Sequence, residues 1–215
     1  MGNKSLLVSV LLVSVIAAVA AILVTASWEF SHERIEENQR AKLIENLASV
    51  LDAEILEQDL APVQLQVTDP ELLGSEDPID VFVPVDGTRP LAAVFASIAP
   101  DGYNAPIELL IGISIATGRI SGVRVIDHRE TPGLGDLIEI RKSPWIRQFD
   151  GTSLDDPPGS GWAVTQEGGR FDALTGATVT PRAVIGAVHR TLLYFQINRD
   201  ELLQRAQTEA EQRDP

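Results

Sequence analysis

Cysteine is absent from this chain of 215 residues. That one absence removes thiolate-held iron–sulfur clusters, covalently attached c-type haem, disulfides and cysteine-based zinc sites. An electron-carrying role would therefore need an organic cofactor. Histidine is scarce too: His32, His128 and His189 stand far apart and form no metal-ligand spacing, so no metal site is expected. Basic residues are outnumbered, with 17 Lys and Arg against 31 Asp and Glu and a formal net charge of -14. Without a basic cluster to track phosphates and release counterions, nucleic acid is excluded as a partner. The acidic pair Asp155-Asp156 ahead of Pro157-Pro158 reads as a solvated loop rather than a calcium site. No repeat at a fixed period and no low-complexity segment occur.

What is present is the composition of one folded domain with an anchor, 44% hydrophobic and 22% charged. Residues 6–26 carry no charge and are dominated by Leu, Val, Ile and Ala, long enough for a membrane-spanning helix. A cleaved signal peptide is the rival, with Lys4 as its basic start. The run exceeds the usual signal core, which favours a retained anchor. Lys4 on one flank faces Arg34, Arg40 and Lys42 on the other, and these charges leave the orientation open.

Five domains or segments are expected: a short tail at 1–5, a transmembrane helix at 6–27, an amphipathic linker helix at 28–60, a globular domain at 61–197, and a C-terminal helix or tail at 198–215. In the linker, Ile35, Leu43, Ile44, Leu47, Val50 and Leu51 recur at helical spacing among charged residues. Packing of that stripe on its own domain is the plainer use, with partner contact as a second. Strand-like runs at 63–67, 79–85, 91–98, 107–116 and 120–127 are punctuated by Gly and Pro, which predicts an antiparallel sheet built from hairpins. A loop-rich stretch from 130 to 169 follows, with a short helix near 145–149. Thr180-Pro181 reads as an N-cap and first helical position, opening a helix with Val184, Ile185, Val188, Leu192 and Phe195 on its apolar face.

The segment Asp172-Ala173-Leu174-Thr175-Gly176-Ala177-Thr178-Val179-Thr180-Pro181 is a turn of small residues feeding that helix start. Helix N-termini present unpaired amides and the positive end of a dipole, so a phosphate placed there is stabilised. Thr175, Thr178 and Thr180 supply hydroxyls suited to capping the helix, to hydrogen-bonding a phosphate, or to being esterified by one. The pattern alone does not choose among these.

Asp172 to Thr178 resembles the Asp-x-x-Ser/Thr-Gly-Ala-Thr signature of proteins that receive FMN through a phosphoester bond to threonine. A second block, His128-Arg129-Glu130-Thr131-Pro132-Gly133-Leu134-Gly135 followed by Lys142-Ser143-Pro144-Trp145, resembles the FMN-binding G subunit of the Rnf complex, also called Rsx. The similarity extends from Gly102-Tyr103 through Ile111-Gly112-Ile113 and Gly122-Val123-Arg124-Val125 to Ala183-Val184-Ile185. The C subunit of the sodium-pumping NADH:quinone oxidoreductase shares the motif and anchor, but the shorter chain and the 128–135 context look more like the Rnf protein.

The resemblance implies an α+β fold: an N-terminal transmembrane helix, then an FMN-binding domain with an antiparallel sheet flanked by helices. It implies FMN esterified to Thr178, with Asp172, Thr175, Gly176, Ala177, Thr180, Glu130, Thr131, Gly133, Leu134 and Gly135 around it. Leu134 is expected against the flavin face and the backbone amides of its loop near the ring edge. It further implies an electron-relay subunit of an ion-translocating ferredoxin:NAD oxidoreductase, with no stand-alone catalysis. The implied partners are other membrane subunits, including a second that carries covalent FMN, a flavin transferase for maturation, and membrane lipid. The implied location is a bacterial inner membrane, single-pass, with the domain on the periplasmic side. A membrane-tethered scaffold without flavin is the alternative. By the residues themselves, Pro132-Gly133 is a tight turn with Gly133 at positive φ. His128 reads as a hydrogen-bonded structural residue ahead of a flavin-tuning one, and His189 as packing.

Overall fold

The computed structural model describes residues 12–14, 17–18, 44–56 and 62–213. The chain divides into two compact units, 1–45 and 46–215. In the first, residues 12–14 and 17–18 are helical. The transmembrane segment expected at 6–27 otherwise lies outside the described residues, as does most of the linker. Among the described residues no helix is long and apolar enough to cross a membrane.

The second unit is built on five long strands, β1 (Val63–Val67), β2 (Ile79–Val83), β5 (Ala92–Ala99), β6 (Ile107–Ser114) and β7 (Ile120–Asp127), with a small hairpin of β3 (Val85–Asp86) and β4 (Arg89–Pro90) between β2 and β5. The five form one antiparallel sheet in the order β1-β2-β5-β6-β7. The Val-Gln-Leu-Gln-Val sequence of β1 alternates buried and exposed residues, as a strand with one solvated face requires. Pro84 ends β2 before the run expected over 79–85 is complete, because proline has no N–H for the ladder.

With the short helix Pro70–Leu73 and the turns that follow β7 packed into the same core, one face of the sheet is covered by the long helix Val179–Arg213. Its buried residues Val184, Val188, Leu192 and Phe195 follow helical spacing and pack on the inward residues of β5 and β6. Phe95 of β5 meets Tyr194 and Phe195 edge-on at 5.9 and 6.2 Å. Beside them Ser97 and Thr191 share a buried hydroxyl bond of 2.8 Å, and Thr191 donates its own proton to Ala187 O.

The composition change at Asn198 predicts a separate terminal element, but the helix continues without a break. Its buried face simply narrows to Leu202, Ala206 and Ala210 as it crosses β1. There Arg205 and Arg213 donate to the carbonyls of Gln66 and Pro62 at 3.0 and 2.9 Å, which occupies acceptors on the outer edge of the sheet.

The opposite face carries a notch. Gly112 of β6 and Gly122 of β7 are cross-strand partners, and Val50 fills the space above them. A Cβ on Gly112 would lie 2.2 Å from Val50 O, and one on Gly122 2.9 Å from Val50 Cα. Ser121 donates to that same carbonyl at 2.6 Å. The helix expected over 28–60 is interrupted here: residues 44–48 and Ala53–Leu56 are helical, with a turn between them. Val50 is fully buried in the turn, its carbonyl drawn to Ser121.

Between β7 and the helix the chain makes four short 3-10 turns and adds no strand to the sheet. One of them, Pro144–Phe149, carries the helix expected near 145–149. Trp145, Phe149, Trp162, Phe171 and His189 form a contiguous aromatic stack, with Trp162 on the His189 ring at 5.1 Å. Burial pushes the His189 imidazole below its ordinary pKa, with Arg190 adding to the effect. It is a packing residue, as expected.

Candidate functional site

Two turns of the same kind face each other at the start of the long helix. In Thr131-Pro132-Gly133-Leu134 the Leu134 N–H closes on Thr131 O at 3.1 Å, with Gly133 at φ 77. In Leu174-Thr175-Gly176-Ala177 the Ala177 N–H closes on Leu174 O at 3.1 Å, with Gly176 at φ 81. Each places glycine third, where positive φ is needed. The Leu134 side chain lies over Gly176 so closely that a Cβ there would come within 2.8 Å of its Cδ2.

A cavity of about 320 Å³ opens between the turns, lined by Tyr103, Glu130, Thr131, Leu134, Gly135 and the run from Gly176 to Thr180. This volume falls within the range of small-molecule sites. A second cavity of the same size, lined by Ile115, Leu154, Phe195 and Arg199 among others, contains none of the expected site residues.

Glu130 joins three segments at the cavity floor. Its buried carboxylate accepts from the backbone N–H groups of Tyr103 and Asn104 at 2.9 and 3.3 Å through Oε1, and from the Thr180 hydroxyl through Oε2. Gly135 passes directly over this pair: a Cβ would meet Glu130 Oε2 at 2.6 Å and Thr180 Oγ1 at 2.8 Å. The helix begins at Val179. Thr180, expected to cap it, is instead a buried hydroxyl donor to Glu130, fifty residues away.

His128 orients this carboxylate's backbone. A backbone N–H is always a donor, so the Glu130 N–H at 3.0 Å requires His128 Nδ1 to be unprotonated; Nε2 then donates to Glu139 Oε1 at 3.0 Å. The histidine holds a loop and does not line the cavity. Lys142 completes the shell, donating to Asp136 at 2.8 Å and to Glu139. The Lys142 hydrogen bond holds both carboxyls below the usual carboxylate range, against burial, and the two acids in turn raise the lysine.

Eight of the eleven expected site residues come together around the cavity: Thr178, Gly176, Ala177, Thr180, Glu130, Thr131, Leu134 and Gly135. Asp172, Thr175 and Gly133 do not line it. Asp172 holds the motif in place through its backbone, its N–H donating to Gln148 and its carbonyl accepting from the Trp145 indole, both at 2.6 Å. Gly133 serves through its conformation.

The three threonines therefore separate. Thr180 is buried with its hydroxyl bonded, and Thr175 is exposed away from the cavity. Thr178 is exposed, lines the cavity, and its hydroxyl has no hydrogen-bond partner among the described residues. Two further lining residues, Tyr103 and Val179, are not among those expected at the site. Tyr103 stands in the sequence beside Gly102 at the start of the stretch of family similarity, with nothing there to mark it as a lining residue.

Comparison with known proteins finds a match to the FMN-binding domain over residues 102–193. The G subunit of the ion-translocating oxidoreductase complex of Pseudomonas aeruginosa is 44% identical over 201 residues, covering 94% of each chain. Its counterpart in Shewanella loihica is 39% identical over 203 residues, covering 94% of this chain and 95% of that one. Among solved structures, the crystal structure of Shewanella oneidensis NqrC aligns with a TM-score of 0.48 at 21% identity, covering 74% of each chain.

Proposed function

The chain belongs to the G-subunit family of ion-translocating oxidoreductase complexes, and from that premise we propose that it carries FMN esterified to Thr178 and relays electrons within an Rnf-type membrane complex. The observation that supports this reading most is the separation of the three threonines of the motif, since only Thr178 combines a place in the cavity with a hydroxyl unengaged among the described residues.

The residues present suit the group. Gly176 and Gly135 leave no room for a Cβ because Leu134 and the Glu130–Thr180 pair pack against them, which draws the two turns together at the wall of the cavity. The ester phosphate keeps a negative charge, and Thr178 immediately precedes the first residue of a 35-residue helix, whose free amides favour an anion. Leu134 and Val179 offer apolar surface to a ring system. When bound, FMN supplies transfer of electrons singly or in pairs, a role that no thiolate-held cluster can fill in a chain without cysteine.

Attachment requires a separate transferase, because an unactivated alcohol does not attack a phosphoryl group unaided. The Thr178 Oγ displaces AMP from the FMN phosphorus of FAD: the Oγ–P bond forms, the P–O bond to AMP breaks, and the hydroxyl proton goes to the transferase. Glu130 keeps the two turns in register during this step and afterwards. Other proteins of the complex supply and take the electrons. In this reading residues 6–27 anchor the chain, with the domain on the extracytoplasmic side.

The test is to express the chain with its transferase, denature it, and look for flavin fluorescence on the polypeptide. Wild type and Thr175→Ala are expected to fluoresce and Thr178→Ala to be dark. A dark wild type that still assembles with its membrane partners would point to a scaffold.

A further inference from the structure

In the unit from residue 46 onward, the large hydrophobic side chains left exposed among the described residues are Tyr103, Ile126, Leu134, Val179 and Ile197. Three of the five, Tyr103, Leu134 and Val179, line the same cavity. Apolar surface left in water at one place, when a domain has a core available, marks a surface meant to be covered. Tyr103 is the largest of the three and is 65% exposed.

Its backbone is held firmly although its ring is not. The Tyr103 N–H donates to the buried Glu130 carboxylate at 2.9 Å. Asn104 adds a second N–H to the same oxygen and ties its side chain to Arg129 O at 2.9 Å. Gly102 turns so tightly that a Cβ would lie 2.0 Å from Ala105 O. The phenol, by contrast, makes no hydrogen bond or ring contact among the described residues. Tyr194 is the opposite case, buried and edge-on to Phe95. An aromatic fixed at its root, free at its ring and lining a cavity is pre-organised for a planar ligand at low entropic cost.

We propose that Tyr103 is a cofactor-contacting residue whose ring lies against the isoalloxazine of the flavin, supplying an aromatic contact beside the aliphatic ones of Leu134 and Val179. The inference rests on the cavity being the flavin site. A phenol in contact with a flavin quenches its emission: on excitation the phenol gives one electron to the ring system and takes it back, leaving no net chemistry. Tryptophan does the same more strongly, whereas phenylalanine and leucine are not electron donors.

The test measures flavin emission per bound flavin in the folded, FMN-loaded protein, for wild type, Tyr103→Leu, Tyr103→Phe and Tyr103→Trp. Each side chain sits at an exposed rim, so the fold is expected to survive. Emission should rise several-fold in the Leu and Phe variants and fall below wild type in the Trp variant. Unchanged emission in all three, with flavin still on the denatured polypeptide, would overturn the assignment of Tyr103 while leaving Thr178 as the attachment residue. No flavin on denatured wild type would overturn both.

Discussion

Gly112 and Gly122 on one side of the domain, and Gly135 and Gly176 at the helix start, each open a notch where a side chain is missing. The first notch is filled by the chain itself, with Val50 seated in it and tied by Ser121. At the second, Glu130 and Thr180 lie beneath Gly135 and Leu134 over Gly176, and a cavity remains beside them with Thr178 at its wall. In both places a glycine makes room for the chain's own atoms; what separates them is that only at the second does a cavity remain beside the packed side chains.

The sharpest contrast is expected at Thr178. Replacing it with alanine should abolish covalent flavin while changing stability by no more than about 0.5 kcal/mol, because an exposed side chain without a partner among the described residues contributes little to the fold. In-gel fluorescence and a urea melt read the two effects. Gly112→Val should behave in the reverse way. With backbone at 2.2 Å from the new Cβ, it should destabilise the domain by about 3 kcal/mol, while the protein that still folds accepts flavin. If Gly112→Val spared stability and cost flavin, the distinction between the notches would fail.

Thr180→Val tests the floor shared by both roles. It removes the donor to Glu130 Oε2 and leaves a buried carboxylate oxygen unpaired, a loss of roughly 1–3 kcal/mol. Denaturant midpoints should record it, and attachment at Thr178 should persist in the folded fraction.

The smallest effect concerns acid. Asp136 and Glu139 titrate lower in the folded chain than unfolded, chiefly through the Lys142 hydrogen bond. Their contribution is therefore complete above the ordinary carboxylate range near about 4 and is lost as pH falls through their lower folded values. Lys142→Met should destabilise at neutral pH, and its difference from wild type should shrink in acid. A difference that grew on acidification would contradict the pairing.

Much of the sheet is legible in the sequence because alternation and Gly or Pro punctuation are local signals; the run at 63–67 coincides with β1 and that at 120–127 with β7. The motif at 172–178 is legible as a turn into a helix for the same reason. What stays hidden is non-local. No spacing rule pairs Glu130 with Thr180 across fifty residues, so by sequence a buried donor reads as a cap. Nor does composition reveal that Ala206 and Ala210 bury a narrow stripe of an otherwise polar segment, which keeps the helix whole past Asn198. The break at Val50 depends on glycines in two other strands. Tyr103 gains meaning only once the cavity exists, because the exposure of a single aromatic has no sequence signal.

Trypsin cleaving after Arg170 and Arg182 releases one peptide, Phe171 to Arg182, that contains Thr175, Thr178 and Thr180 together. In protein matured alongside a flavin transferase, its mass should include one FMN less water, and fragmentation should locate the addition on Thr178. An unmodified peptide, or the addition on either neighbouring threonine, would contradict the account.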